Sequence, residues 1–407
     1  MPERFIKRDL CYQMEEGLKR GIFPSIVLVY LRSESMQFGS DLLSTILYVL
    51  FIGLIFVQMM FGQRIQMWGW IKQIEAALRK LEIMMLSGKE ITVNTVKEVG
   101  KSPKDPTSRV TEFMEFFQID PVDKDPAGVL GRLEHLLNVR KNQFEDLVLR
   151  IAPEASEPES ANLENLVEAA IAVNYIFRVV RHYLLLGKKQ KSLLLIMQIQ
   201  MQLPEIMRIA NAYFNALKAF SVGKPIGDGI GALVVASIAD ENRKLAGLEE
   251  ISDIAKNTVA YKMDFEQRTL FLIKAKGPGG NVGKPGEAIK LIVEQQKGNI
   301  ARIITIDAAL KLEGDKSGEL AEGVGAAIGG FGVEKFKMED AGVLHKIPLD
   351  ALIIKEAIEE AVSPLKKEIA EAAEKAVERV KRIIRERTKP NDLVIVAGIG
   401  NTIGVGF

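Results

Sequence analysis

ARIITID (Ala301–Asp307) is an apolar run rich in β-branched side chains and closed by a carboxylate. Three similar runs accompany it: LFLIKA (270–275), LDALIIK (349–355) and LVIVAG (393–398). Apolar runs of this length without polar alternation read as strands buried on both faces. Between them lie helical patterns at about 230–245, 286–297 and 356–388. Strands alternating with helices predict a doubly wound, mostly parallel α/β domain of hydrolase- or phosphorylase-like type over residues 221–407. The last helix carries a seam of Val362, Leu365, Ile369, Ala373, Ala376, Val380 and Ile383. That seam faces the sheet or, in a homo-oligomer, a second subunit.

Upstream of this domain the texture is helical. Stretches at about 127–151, 161–187 and 189–220 form a helical region over 127–220, with Ile196, Ile199, Leu203, Ile206 and Ile209 as a buried stripe in the third. The gap IAPEASEPESAN separates the first two by its prolines and capping residues. Residues 63–126 read as an amphipathic helix to about 87, then a linker rich in Pro and charge.

The segment LLSTILYVLFIGLIFVQMMF (Leu42–Phe61) has twenty residues without a charge. At about 1.5 Å per residue it crosses a ~30 Å hydrocarbon core. Trp68 and Trp70 follow at the depth of an aromatic belt, and Arg64, Lys72, Arg79 and Lys80 place the following side in the cytoplasm. The expected location is the cell membrane, with a single span within 36–62 and a lipid bilayer as partner. The tail 1–35 is itself basic and contains IFPSIVLVYL (Ile22–Leu31), too short to span. A start at Met36 removes the conflict in orientation.

Charge excludes one class of partner. With 54 Lys plus Arg against 53 Asp plus Glu, the chain has no bulk attraction for nucleic acid. One cysteine, Cys11, excludes an internal disulfide. Three histidines, His135, His182 and His345, make a His-rich metal cage improbable.

The glycine-rich loops fail as nucleotide motifs. In GPGGNVGKPG (277–286) the residue six before Lys284 is Pro278, and Pro285 stands where a phosphate loop needs a hydroxyl. GIGNTIG (398–404) follows a strand, yet only three residues of this sequence follow it, so no helix is expected to cradle a pyrophosphate. No Rossmann cofactor is expected.

These loops do share a place at the carboxyl ends of predicted strands, where open α/β sheets bind ligands. The ligand-binding candidates are Gly227 and Gly229 around Asp228, and Gly279, Gly280, Asn281 and Lys284 in the first loop. Gly329, Gly330 and Lys335 follow in GGFGVEK, and Gly398, Gly400 and Asn401 close the set. Asp228 sits in PIGDGIG and Asp307 ends its apolar run, so both aim at the same edge. Two carboxylates there can share a proton or bind a hard cation, which makes Asp228 and Asp307 the catalytic candidates. Asp as a simple turn or helix cap remains the alternative.

The blocks PIGDGIGALVV (225–235), KGPGGNVGKPGEAIKLI (276–292), IITIDAALKLEG (303–314), GAAIGGFGVEKFKMED (325–340) and IPLDALIIKEAIEEAV (347–362) resemble, in order, the family of the spore germination protease and hydrogenase maturation proteases. The resemblance implies a peptidase-like α/β domain with Asp228 and Asp307 on its two acidic positions. That family's opening Gly-x-Gly-Asn occurs here only as GIGN (398–401), implying a circular permutation completed by Gly398–Asn401. For the histidine that maturation proteases use for metal, His345 is the one candidate in this domain. A divalent metal therefore stays an open expectation. The whole chain also resembles a family of archaeal single-span membrane proteins of unknown function. Three readings follow: a membrane-anchored hydrolase of an unknown protein or small-molecule substrate, in which Lys284 or Lys335 steadies an oxyanion, a non-catalytic membrane-tethered module whose glycine loops hold a phosphorylated small ligand, and a self-associating scaffold.

Overall fold

The computed structural model describes residues 42–101, 105–119, 128–243, 247–330 and 332–406. Cys11, the run Ile22–Leu31, Met36 and part of the expected linker lie outside them. Chain contacts divide the protein into two units, Met1–Trp68 and Gly69–Phe407.

Helix α1 (Leu42–Gly100) begins in the first unit. There its apolar side chains are bare: Leu47, Val49, Leu50, Phe56 and Met59 are all exposed. In the second unit α1 turns amphipathic and buries Ile74, Ala77, Leu81, Val93 and Val96. The sequence predicts a linker from Gly88, but the helix continues. Thr92 and Thr95 bond their hydroxyls back to the carbonyls of Gly88 and Ile91, both at 2.8 Å, and Val93 and Val96 enter the helical core. Tertiary burial thus overrides a β-branched, Thr-rich composition that disfavours helix.

Four more helices complete this layer among the described residues: α2 (Thr107–Phe113), α3 (Val129–Ile151), α4 (Glu157–Gln190) and α5 (Leu193–Ser221). A capping box between Ser156 and Glu159 starts α4. Its core includes Phe144, Leu163, Leu166, Val173 and Leu217. Helix α4 is long and apolar enough to cross a membrane, while Thr45–Met59 qualifies only together with Phe61–Gly100. The apolar side chains of α4 build the helical core, and length and composition cannot separate such a helix from a span.

The α/β domain opens with a 3₁₀ turn (Gly227–Gly229) and α6 (Ile230–Arg243), followed by β1 (Glu249–Ala255), β2 (Thr258–Phe265), β3 (Arg268–Ala275), α7 (Pro285–Gln295), β4 (Arg302–Leu310) and β5 (Leu320–Val324). Then come α8 (Val333–His345), β6 (Leu349–Glu356), α9 (Ile358–Ala361), α10 (Lys367–Arg387) and β7 (Leu393–Gly398). The strands form one sheet in the order β1-β2-β3-β7-β4-β6-β5. Its centre, β3-β7-β4-β6, is parallel, and the outer pairs are antiparallel. The sheet is therefore mixed, not mostly parallel.

The difference comes from the β1–β2 hairpin and β5, which face solvent in part and lack the continuous apolar run of a buried strand. Charged Lys262 and Asp264 alternate with buried Tyr261 and Met263 in β2. The β2–β3 turn uses Glu266 and Gln267 at φ +47° and +63°, where Asn-Gly would have signalled a hairpin.

Helices cover both faces. On one, α6 and α10 bury Val234, Ile369, Ala376 and Val380 against Leu272, Ile304, Leu352 and Val396. On the other, Ile289, Ile292 and Met338 of α7 and α8 meet Phe271, Ile303 and Ile395. The expected helix over 356–388 breaks at Ser363–Pro364. From Ile369 to Ile383 its seam is buried within the protomer.

Candidate functional site

The last strand in sequence is central in space, and it is short. Strand β7 ends at Gly398 opposite Ile306, whereas β4 runs on to Leu310. Asp307 is therefore not the last residue of its strand, as its sequence suggests, but the first to stand beyond the end of β7. The chain leaving β7 stays close: Ile399 N–H donates to the Ile306 carbonyl at 2.8 Å, and Asn401 N–H donates to Asp228 Oδ2 at 2.8 Å. Gly400 turns the chain between them at φ +121°, and a Cβ there would lie 1.8 Å from the Asp228 carbonyl oxygen. Only glycine fits that approach.

A third carboxylate joins the two aspartates. Glu356, at the end of β6, is 2% exposed, and among the described residues neither of its oxygens has a hydrogen-bond partner. Gly227 gives it room, since a Cβ there would lie 2.4 Å from Glu356 Oε2. Sequence reasoning missed Glu356, although LDALIIKE ends in an acid just past an apolar strand, the signal used for Asp307.

Burial raises the pKa of all three carboxyls, and the charge of Asp228 raises the other two further. Burial, and then the charge of Asp228, push Asp307 up to about 8. Burial and the charges of Asp228, Glu360 and Asp307 push Glu356 up to about 8. Burial also raises Asp228, against the pull of the Asn401 N–H. Asp307 accepts from its neighbour Ala308 N at 2.8 Å and from Gly329 N. Glu360 behaves differently. Burial works against its charge, yet the Ala357 N–H, Lys366 and Ser317 hold it down at about 2. Among the described residues no such cation acts on Asp228, Asp307 or Glu356, so the three are not all ionised near neutrality.

These acids do not form a closed metal cage. No choice of one oxygen from each brings all three within 4.8 Å of one another. His345 ends α8 against Gly298, at the amino edge of the sheet, away from the carboxyl edge that carries Asp307. Glu134, Glu287 and Glu334 do approach within 4.8 Å, but Lys337 binds all three at 2.7, 3.4 and 3.2 Å and takes a cation's place.

The first glycine loop is held by protein partners. Gly280 N–H donates to Asn162 Oδ1 at 2.9 Å, and its carbonyl accepts from Asn165 Nδ2 at 2.6 Å. The Asn281 amide donates to the Lys276 carbonyl, and Thr402 Oγ bonds the Gly279 carbonyl. Asn165 also accepts from Asn401 Nδ2 at 2.9 Å, so α4 braces both the loop and the residue that holds Asp228. Nothing in the sequence marks Asn165, because its partners are 115 and 236 positions away. Lys284 pairs with Glu287 at 3.6 Å, and Lys335 pairs with Glu339 at 3.8 Å along α8. Gly330, at φ +86°, belongs to the loop after Gly329. Gly229 and Gly398 allow close backbone contact, with Asn401 and Gly231 respectively.

Two clefts lie where the helical layer meets the α/β domain, both within Gly69–Phe407. One, of about 490 Å³, has Asp228 and Asn401 in its wall beside Tyr175, Tyr213 and Phe220. The other, of about 280 Å³, runs along Lys284, Asn257 and Gly280. They share Arg140, Asn165 and Glu168, which makes them arms of one groove.

In comparisons with known proteins, residues 226–406 match the domain of unknown function DUF1512, C-terminal, and residues 48–223 match the DUF1512 N-terminal domain. No curated protein matches the chain.

Proposed function

We propose that this chain, which belongs to the DUF1512 family, is a membrane-anchored hydrolase that cleaves amide bonds with Asp228, Asp307 and Glu356. The observation that carries the reading is Glu356: a buried carboxyl with both oxygens unpartnered, in the field of two further carboxylates. Unpaired buried acids destabilise a fold, so their retention beside Asp228, which opens to a cleft, points to chemistry.

The reaction follows from the shared protons. An ionised carboxylate, with Asp228 the one open to the groove, takes a proton from water. The resulting hydroxide equivalent adds to the amide carbonyl, and a protonated neighbour, Asp307 or Glu356, donates to the carbonyl oxygen. Collapse re-forms the carbonyl and breaks the C–N bond; the proton taken from water leaves with the amine, and the carbonyl oxygen returns its proton to the neighbour that lent it. The chain's donors do not fit the histidine-containing metal set of maturation proteases, so no step is assigned to a metal.

The phosphorylated-ligand reading asks for unpaired cations at the glycine loop. Instead Lys276 pairs with Glu157 and Lys284 with Glu287. Anchoring rests on the uncharged run Leu42–Phe61, in which Leu47, Val49, Leu50, Phe56 and Met59 are bare, with Arg64, Lys72, Arg79 and Lys80 keeping the catalytic domain in the cytoplasm. Incubating the full chain in detergent with a mixed peptide library tests the reading. Cleavage by the native protein and none by Asp307→Asn is the expected result.

A further inference from the structure

The groove between the helical layer and the α/β domain has two chemically different arms. The arm containing Asp228 sets aromatic and aliphatic side chains, among them Ala172, Tyr175, Tyr213, Phe220 and Val362, beside the charged Arg140 and Glu168. The other is rich in side-chain amides: Asn138, Asn142 and Asn257 face it, and among the described residues none of these three side chains makes a hydrogen bond. Each amide offers both a donor and an acceptor, the complement of a peptide group.

Charge in the amide arm is already balanced. Arg140 pairs with Glu168 at 2.7 Å, Lys141 with Glu164, and Lys256 with Glu145 at 2.9 Å. A neutral main chain leaves these partly exposed pairs intact. The volumes, about 490 and 280 Å³, are of the size that takes a few residues.

We propose that the groove binds an extended polypeptide, its main chain held by Asn138, Asn142 and Asn257 and one apolar side chain seated beside Tyr175 and Tyr213 next to Asp228. This rests on the hydrolase reading and names its substrate class. The amide arm reads backbone and tolerates sequence, while the aromatic arm selects the residue next to the bond that is cut. A filled aromatic arm therefore changes which peptides bind, and loss of the amides weakens all peptides alike.

The test uses the full chain carrying Asp307→Asn, so that bound peptides survive, and a library of random acetylated octapeptides. Equilibrium dialysis followed by mass spectrometry gives the peptides retained. The expected result is enrichment of an aromatic or large aliphatic residue at one position. Ala172→Trp should reduce retention of those peptides tenfold or more, and Asn142→Ala with Asn257→Ala should reduce retention of every peptide severalfold. Tyr175→Ala, at a side chain 67% exposed and so harmless to folding, should also weaken the apolar preference. Retention unchanged in all these variants, or no retention at all, overturns the groove assignment. Cleavage by the native chain without any dependence on Ala172 or Tyr175 overturns it while leaving the hydrolase reading intact. Retention as expected without cleavage by the native chain removes the hydrolase reading and leaves the groove.

Discussion

Asn401 donates its backbone N–H to Asp228 Oδ2 at 2.8 Å across 173 positions of sequence. The contact closes the α/β domain, because it ties the turn before α6 to the chain leaving β7 at the centre of the sheet. One bond thus sets both the position of Asp228 and its residual preference for the charged form.

Gly400 makes this contact sterically feasible, so Gly400→Ala should lose about 2–4 kcal/mol of stability and most activity. Gly314→Ala is the control. Its φ is also positive, at +96°, but no atom lies within 4 Å of the added Cβ. Urea unfolding should give the control only about 1 kcal/mol. Equal losses would show that the approach to Asp228 matters no more than backbone strain.

Glu356→Gln should stabilise the protein at alkaline pH. The folded Glu356 carboxyl ionises at about 8 and the unfolded one near its ordinary value of 4.5, so the native state holds more protons between those limits. Stability therefore falls as pH rises through that window, at about 1.4 kcal/mol per pH unit for one group. Asp307 adds the same sign. Thermal unfolding of native protein and Glu356→Gln should converge near pH 4 and separate by several degrees at pH 9. A native protein no less stable at pH 9 than at pH 5 would contradict the buried-acid assignment.

Asn165→Ala removes the brace between α4, Gly280 and Asn401. It strips hydrogen bonds of 2.6 and 2.9 Å from the buried Gly280 and Asn401, for a loss of about 1–3 kcal/mol. Activity should fall more than at Asn211→Ala, whose amide bonds only the Met207 carbonyl of its own helix. Comparable activity in the two variants would separate Asn165 from the site.

Removal of residues 1–68 should convert a membrane-bound protein into a soluble one that keeps its fold, because the helical and α/β cores lie within Gly69–Phe407. Fractionation after alkaline carbonate extraction reads this out. A full chain released by carbonate would contradict the anchor.

Legibility followed burial. Strands β3, β4 and β7 announce themselves because they are covered on both faces, β6 by its apolar run although one of its faces is only half-buried, and the helices between them carry regular apolar seams. The β1–β2 hairpin stays hidden, since it is half exposed and its turns use Asn257, Glu266 and Gln267 instead of glycine. In the site, Asp228 and Asp307 stand out by their glycine and strand context. Glu356 is masked by the acidic run Glu356–Glu360, where only tertiary structure shows that Glu360 has a lysine and Glu356 has none. Asn165 depends on long-range partners that no local pattern encodes.

The most direct measurement is peptide cleavage at neutral pH by the full-length protein in detergent, beside Asp228→Asn, Asp307→Asn and Glu356→Gln. The account predicts cleavage by the native chain, a loss of at least a hundredfold in each aspartate variant, and an altered pH profile in Glu356→Gln. Cleavage that survives undiminished in Asp228→Asn and Asp307→Asn, or a folded native chain that cleaves no peptide, would contradict it.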